Sequence, residues 1–257
     1  MDRAAKLARM GDRLISFVAM ILVLCMMLYG GYSLLDNWRL SQAGFGSDLM
    51  KYKPAPGQSW SMDELVAMNK DVIGWITIDD THIDQPIVQG KDDMEYVNKD
   101  PLGDFSLSGS IFLSCLNSLD FSDPYSLMYG HHMENGGMFG DLTKFLKKDY
   151  FDDHKTGTLY SLDSQWDIEV FAVLKTDAAD PDVYSIPQGA STLDGRFLER
   201  LKKDCQQYRD IGVKPDQQII ALSTCYDVET NGRVLLFGRI QNKQEVKNAN
   251  ENSYEQN

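Results

Sequence analysis

The fold is decided by residues 217–240, which read QQIIALSTCYDVETNGRVLLFGRI. Two short apolar runs, 217–224 and 233–240, flank a segment of turn formers. That segment includes Asn231-Gly232, a strong signal for a tight turn between antiparallel strands. The stretch therefore predicts a β-hairpin near the end of the chain.

This hairpin would bring a thiol and a cation to one rim of a sheet. Cys225 ends the first run and Arg233 begins the second, so antiparallel pairing places the two positions opposite each other. A cation fixed beside a cysteine stabilises the thiolate, which is the nucleophilic form. The alternative is that the cysteine is a small buried core residue and the arginine a surface charge.

Composition narrows the class of protein. The 257 residues have room for one good-sized domain plus appendages. The formal net charge of −13 argues against nucleic-acid binding, because neutralising phosphates requires clustered Lys and Arg. The four cysteines are widely spaced, without a C-x-x-C pair, so we predict neither a disulfide framework nor a zinc knuckle.

An uncharged apolar segment occupies residues 14–35. As a helix it would be about 33 Å long, which is enough to cross a hydrocarbon core. It is longer than the apolar part of a usual signal peptide, and no clear A-x-A cleavage site follows it. Basic residues precede it within residues 1–13, so we expect a single-pass anchor in the cell membrane, with a cytoplasmic N-terminus and the remainder outside.

The rest of the chain divides into three predicted parts. Residues 36–57 end in Pro-Ala-Pro-Gly and are interpreted as a stalk or linker, and residues 58–241 as the folded domain. Residues 242–257 are rich in Asn, Gln and Glu, which predicts a disordered tail. Within the folded domain many short strand-like runs alternate with few helices, of which 192–209 is the clearest, and this predicts a mostly-β closed or nearly closed sheet.

His131 and His132 are the candidate proton carriers. They follow the apolar run 127–130 and enter a glycine-rich loop, a usual place for functional side chains. Neighbours on an extended chain point opposite ways, and no H-E-x-x-H spacing is present, so we predict one catalytic imidazole and no metal. Together with Cys225 and Arg233, an imidazole would complete an acyl-transfer site with a nucleophile, an acid–base group and an oxyanion partner.

In combination these motifs resemble the sortases of Gram-positive bacteria, and class B in particular. The similarity lies in Tyr129-Gly-His131-x-Met, in Leu222-Ser-Thr-Cys225, and in Arg233 at the start of the final strand. The segment Met138-Phe-Gly-Asp-Leu142 and the helix before the cysteine strand are also similar to those of class B.

This resemblance implies a sortase-type eight-stranded β-barrel with N-terminal helices and one long helix before the cysteine strand. It implies a membrane-anchored cysteine transpeptidase without a cofactor. Such an enzyme would cleave the C-terminal sorting signals of surface proteins at a Thr–Gly or Thr–Asn type bond. A thioester on Cys225 would then pass to an amine of the peptidoglycan precursor.

The resemblance also assigns roles to individual residues. His131 takes the place of the catalytic histidine, and His132 is the fallback, because a doubled histidine permits a register error of one residue. Asp227, two residues past the cysteine, is either a helper or a plain loop carboxylate. Ser223 and Thr224 are expected to shape the substrate groove rather than act as nucleophiles.

Two other functions remain open at this point. One is a membrane-anchored extracellular cysteine peptidase that uses the same Cys–His chemistry with water as the acceptor. The other is a non-catalytic surface binding module, in which Cys225 would have no chemical role.

Overall fold

The structure is a computed structural model that describes residues 2–43, 49–55, 62–187, 189–225 and 231–246. At Cys225 it describes the backbone alone. The chain forms two compact units, residues 1–42 and residues 43–257. Asp227 lies outside the described residues.

The first unit is part of helix α1, which runs Asp2–Ala43. Within α1, the 27-residue segment Arg9–Leu35 is long and apolar enough to cross a membrane, and an 18-residue window in it has a mean hydropathy of 2.4. The predicted span 14–35 falls inside this segment. The helix continues to Ala43, so the first residues of the predicted stalk are helical.

Short helices and nine strands make up the described part of the second unit. The α-helices are α2 Asp63–Met68, α3 Lys148–Asp153, α4 Pro181–Tyr184 and α5 Gly195–Asp204, with 3₁₀ helices at Met50–Tyr52 and Gly140–Leu146. The strands are β1 Val72–Ile78, β2 Asp84–Val88, β3 Ile111–Leu113, β4 Tyr125–Tyr129, β5 Thr156–Ser161, β6 Ser164–Asp177, β7 Gln207–Tyr208, β8 Ile219–Cys225 and β9 Gly232–Glu245.

Eight of these strands close into a barrel. Their order is β5-β1-β2-β3-β4-β8-β9-β6, and β5 pairs with β6 to complete the ring. The two-residue strand β7 adds to the outer edge of β6. The pairs β2–β3 and β4–β8 are parallel, and the other pairs are antiparallel. The prediction of an eight-stranded, mostly-β barrel is confirmed.

Residues 219–222 of strand β8 are all apolar because both faces of the strand are buried there. Ile220 and Leu222 belong to a large core cluster that includes side chains from all eight barrel strands. Ile219 and Ala221 belong to a second cluster, packed with residues of α4 and α5. Alternate residues of a strand point to opposite faces, so a strand covered on both sides reads as a continuous apolar run.

The helix before the cysteine strand is shorter than predicted. It covers Gly195–Asp204 rather than 192–209, and Asp194 caps its start by accepting a hydrogen bond of 2.8 Å from the Arg196 N–H. Cys205 adopts an extended backbone that ends the helix, and Tyr208 lies in β7. Cys205 and Tyr208 are apolar at helical spacing because both pack against the core cluster beside β6, and not because they lie in the helix.

The predicted disordered tail begins too early. Strand β9 continues through Glu245, whose register partner is Ser164, and Val246 is buried. The polar side chains at 241–245 predicted disorder, but these residues form a strand because their backbone pairs with β6. Residues 247–257 lie outside the described part of the chain.

Candidate active site

The predicted hairpin is confirmed, and it brings the Cys225 and Arg233 positions together. Strands β8 and β9 pair antiparallel over seven register partners, from Ile219↔Arg239 to Cys225↔Arg233. Directly opposite residues of such a pair are close neighbours in a sheet. The cysteine position therefore lies beside the backbone that carries the guanidinium.

Arg233 is half-buried, and its Nη1 donates a hydrogen bond of 3.1 Å to the Gly232 carbonyl. Among the described residues, no carboxylate lies within ion-pair distance of this guanidinium. Its remaining N–H groups are therefore not neutralised by a described acid, and an anionic oxygen is the partner that such a group binds best.

The parallel pairing of β4 and β8 brings the histidine loop to the same end of the sheet. Tyr129 and Ser223 are the last register partners of this pair. Beyond them the Gly130 N–H donates to the Ser223 carbonyl at 3.1 Å, and the Thr224 hydroxyl donates to the Gly130 carbonyl at 2.8 Å. Residues 131 and 225 therefore leave their strands at the same edge.

A cavity of about 430 Å³ lies at this edge. It is lined by apolar and aromatic side chains and by a few polar groups: Asp93, Met94, Val97, Phe112, Tyr129, Gly130, His131, Ala178, Tyr184, Ser223, Thr224 and Arg233. The predicted residues His131, Arg233, Ser223 and Thr224 thus share one cavity.

The two groove residues are held by other parts of the fold. Ser223 is buried, and its hydroxyl lies 2.9 Å from the hydroxyl of Tyr184, at the end of α4. The Tyr184 ring stacks on Tyr129, with centroids 6.4 Å apart and an angle of 8° between the planes. These contacts form one wall of the cavity. Burial raises the pKa of Tyr129, so this wall carries a neutral phenol.

The two adjacent histidines occupy different surroundings. The Nε2 atom of His131 lies 2.8 Å from the Val97 carbonyl oxygen, and this ring lines the cavity. His132 is absent from the cavity lining, and its buried Nδ1 has no hydrogen-bond partner in the described part of the protein. Burial lowers the pKa of His132, although Glu134 acts in the opposite direction.

A buried carboxylate lies beside the loop that follows His131. The side chain of Asp141 is 1% exposed and accepts a hydrogen bond of 2.9 Å from the His82 N–H. It also pairs with the His82 ring at 2.9 Å and with Lys144 at 2.7 Å. Burial acts to raise the pKa of Asp141, but the hydrogen bonds from Lys144 and His82 outweigh it and keep that pKa below its usual value. Gly136 in the loop has a φ of +89°, and a Cβ there would lie 2.6 Å from Asp141 Oδ1.

Two other thiols in the barrel unit are poor nucleophiles. Burial raises the pKa of Cys205 to about 12. Burial and the neighbouring Asp93 raise the pKa of Cys115. Both groups therefore stay protonated near neutral pH. No group of three or more metal-ligating side chains occurs in the part of the chain that the structure describes.

Sequence reasoning did not find two of the residues that shape the cavity. Tyr184 lies in a four-residue helix, and Val97 contributes a backbone carbonyl from a turn. Neither has a spacing or a residue type that marks a site. Asp141 was noted in the sequence only as part of the segment Met138–Leu142.

Comparisons with known proteins find several similar chains. A family model described as a sortase domain matches residues 76–241. Sortase B of Listeria monocytogenes is 35% identical over 187 residues, which are 70% of this chain and 74% of that protein.

Two solved structures are similar over most of the chain. A class B sortase of Streptococcus pyogenes involved in pilus biogenesis, Spy0129, is 41% identical, with a TM-score of 0.64 and coverage of 70% of this chain and 97% of that one. A Staphylococcus aureus sortase B–substrate complex is 28% identical, with a TM-score of 0.65 and coverage of 79% and 93% respectively.

Proposed function

The chain belongs to the sortase family, in class B, and we propose that it joins the sorting signals of surface proteins to a peptidoglycan amine. As a member of this family it is a cysteine transpeptidase, so the alternative of a non-catalytic binding module falls away. The observation that carries the proposal is the cavity shared by His131 and Arg233, together with the pairing of Cys225 opposite Arg233.

In the first half-reaction, the Cys225 thiolate attacks the carbonyl carbon of a Thr–Gly or Thr–Asn type bond. The tetrahedral oxygen carries negative charge, which the Arg233 guanidinium offsets. His131, as imidazolium, gives a proton to the leaving amine as the C–N bond breaks. The acyl group then remains on the sulfur as a thioester.

In the second half-reaction, a neutral amine attacks the thioester and loses a proton to His131. The C–S bond breaks, an amide forms, and the cysteine is regenerated. Ser223 and Thr224 serve the groove and not the chemistry, because their hydroxyls already bond to Tyr184 and to the Gly130 carbonyl. His131 is assigned the proton transfers in preference to His132, because only the His131 ring lines the cavity.

A second class of acceptor is favoured by one comparison. The structurally similar Spy0129 of Streptococcus pyogenes is a class B sortase involved in pilus biogenesis. For this chain, an amine on another surface protein is therefore the competing acceptor for the same thioester, and a lysine side chain is the amine tested.

Product analysis distinguishes these acceptors. The enzyme is incubated with a sorting-signal peptide and with no amine, with a peptidoglycan-stem peptide that carries a free amine, or with a lysine-bearing protein. We expect an amide with the peptidoglycan amine. An amide formed only with the protein lysine would favour the second acceptor, and free acid under all three conditions would favour the peptidase.

We propose that α1 anchors the enzyme with its N-terminus in the cytoplasm, because basic residues precede the apolar segment Arg9–Leu35. Protease added to intact cell-wall-free cells should then remove the barrel unit. Protection of that unit until the membrane is permeabilised would reverse the proposed orientation.

A further inference from the structure

The imidazole of His131 is held along one edge by a backbone carbonyl. Its Nε2 lies 2.8 Å from the Val97 carbonyl oxygen. A carbonyl oxygen only accepts hydrogen bonds, so Nε2 must carry the hydrogen. Nδ1 is then the nitrogen that gains and loses a proton. Among the described residues, no carboxylate lies within ion-pair distance of this ring.

A glycine makes room for this contact. Gly109 has a φ of +61°, and a Cβ at this position would lie 2.3 Å from the Val97 oxygen and 3.0 Å from Cδ2 of His131. Cδ2 and Nε2 are neighbouring atoms on the same edge of the ring. A side chain at residue 109 would therefore push on both partners of the hydrogen bond.

The turn that presents the carbonyl is itself fixed. The Val97 N–H donates to the Met94 carbonyl at 3.3 Å, and the Ser110 N–H donates to the Tyr96 carbonyl at 3.1 Å. Tyr96 is buried, and its hydroxyl donates to Asp71 at 2.7 Å. The carbonyl is thus preorganised and does not depend on the substrate for its position.

We propose that the Val97 carbonyl is the positioning group of His131, and that Gly109 is required because it alone admits this carbonyl. The inference rests on the proposed function, in which His131 exchanges protons with Cys225 and the two amines. The carbonyl takes the place of the carboxylate that orients the imidazole in many nucleophile–histidine sites. The carbonyl selects the neutral tautomer in which Nε2 carries the hydrogen and Nδ1 carries none. It does so without adding a negative charge beside the ring.

The first test reads the tautomer directly. Full-length protein with ¹⁵N-labelled histidine is studied in detergent by NMR at a pH where the ring is neutral, and His131 is assigned from the His131→Gln variant. We expect the Nε2–H tautomer in the resting enzyme. The Nδ1–H tautomer, or averaging of the two, would overturn the proposal.

The second test uses a matched pair of glycines. Gly212 has a φ of +68° with open space around its Cβ position, so Gly212→Ala carries the backbone strain without the collision. We expect Gly109→Ala to lower kcat by about 100-fold, the loss typical of a displacement of about 1 Å at a reacting group, with little change in KM. Gly212→Ala should stay near the wild-type rate.

Equal kcat values for the two variants, with the His131 tautomer unchanged in both, would contradict the proposal. If Gly109→Ala fails to fold, the tautomer of the wild-type enzyme decides. The proposed function fails separately, if the wild-type enzyme forms no thioester with any sorting-signal peptide. In that case the tautomer result still reports on the His131–Val97 contact.

Discussion

Tyr129 of β4 and Ser223 of β8 are register partners at the end of a parallel ladder. His131 lies two residues after Tyr129, and Cys225 lies two residues after Ser223. The chain positions of the proposed base and the proposed nucleophile therefore lie level at one edge of the sheet. The register of β4 and β8 thus brings the start of the histidine loop to the end of the cysteine strand.

This register gives different predictions for the two histidines. His131→Gln should lower kcat by about 10²–10⁴-fold, the usual contribution of a general acid–base group. His132→Gln should keep the rate within about tenfold, because His132 is outside the cavity lining. Single-turnover formation of the thioester is the measurement, with melting temperature as the control for folding. A larger loss at His132 than at His131 would transfer the role to His132.

Arg233 should act mainly on the transition state. Removing its charge with Arg233→Ala should lower kcat by about 10²–10³-fold, the loss seen when an oxyanion donor is deleted. Arg233→Lys should restore part of the rate, because it returns the charge without the planar fork of donors. Steady-state kinetics with a sorting-signal peptide separate kcat from KM. An unchanged kcat in Arg233→Ala would exclude this role.

Asp141 should matter for both stability and activity. Asp141→Asn keeps the shape but removes the charge that Lys144 and His82 share, and we expect a loss of about 1–3 kcal/mol in the free energy of unfolding. The His131 loop should loosen, and kcat/KM should fall with it. Urea unfolding of the full-length protein in detergent is the measurement.

The matched control for this variant is Asp152→Asn. Asp152 pairs with Lys148 at 2.6 Å, but the two side chains are 47% and 71% exposed. Removing an exposed pair of this kind changes stability little. Similar losses for the two variants would show that burial of Asp141 has no special effect.

The folding stability of the protein should depend on pH through Asp180, which caps the helix α4 at the wall of the cavity. A hydrogen bond from Arg200 is the main cause that lowers the pKa of Asp180 from 3.8 to about 2, against the opposing effect of burial. A carboxyl group whose folded-state pKa is depressed stabilises the fold above its unfolded pKa. The stabilisation, about 2 kcal/mol, is lost as the pH falls from 3.8 towards about 2.

Asp180→Asn should therefore destabilise the protein near neutral pH, and its difference from wild type should shrink over that acidic range. Because Asp180 caps α4, which carries Tyr184, KM for the peptide should also rise. Asp194→Asn is the control, since Asp194 makes an exposed pair with Arg196 and asparagine caps a helix equally well. A stability difference that stays constant across this pH range would contradict the assignment.

The barrel could be predicted from sequence because its strands follow simple rules. The turn-forming residues Asn231-Gly232 and the apolar runs on either side predicted the β8–β9 hairpin, and with it the pairing of Cys225 with Arg233, although Gly232 itself lies in β9. The end of β9 could not be predicted, because residues 241–245 are polar and are ordered by backbone pairing with β6. The predicted helix ran past the end of α5 because Tyr208 continues the apolar spacing of the helix. In the structure Tyr208 lies in the edge strand β7.

The site was only partly visible in the sequence. His131, Ser223, Thr224 and Arg233 were expected from motifs, and the structure places all four around one cavity. The Val97 carbonyl had no signal, because a backbone oxygen carries no residue identity.

The central claim is that Cys225 is the nucleophile. Intact-protein mass spectrometry after incubation with a panel of sorting-signal peptides tests it most directly. The account predicts an acyl adduct on wild-type protein that hydroxylamine removes, that maps to Cys225, and that is absent from Cys225→Ala. An adduct that persists in Cys225→Ala, or that maps to Cys115 or Cys205, would contradict it.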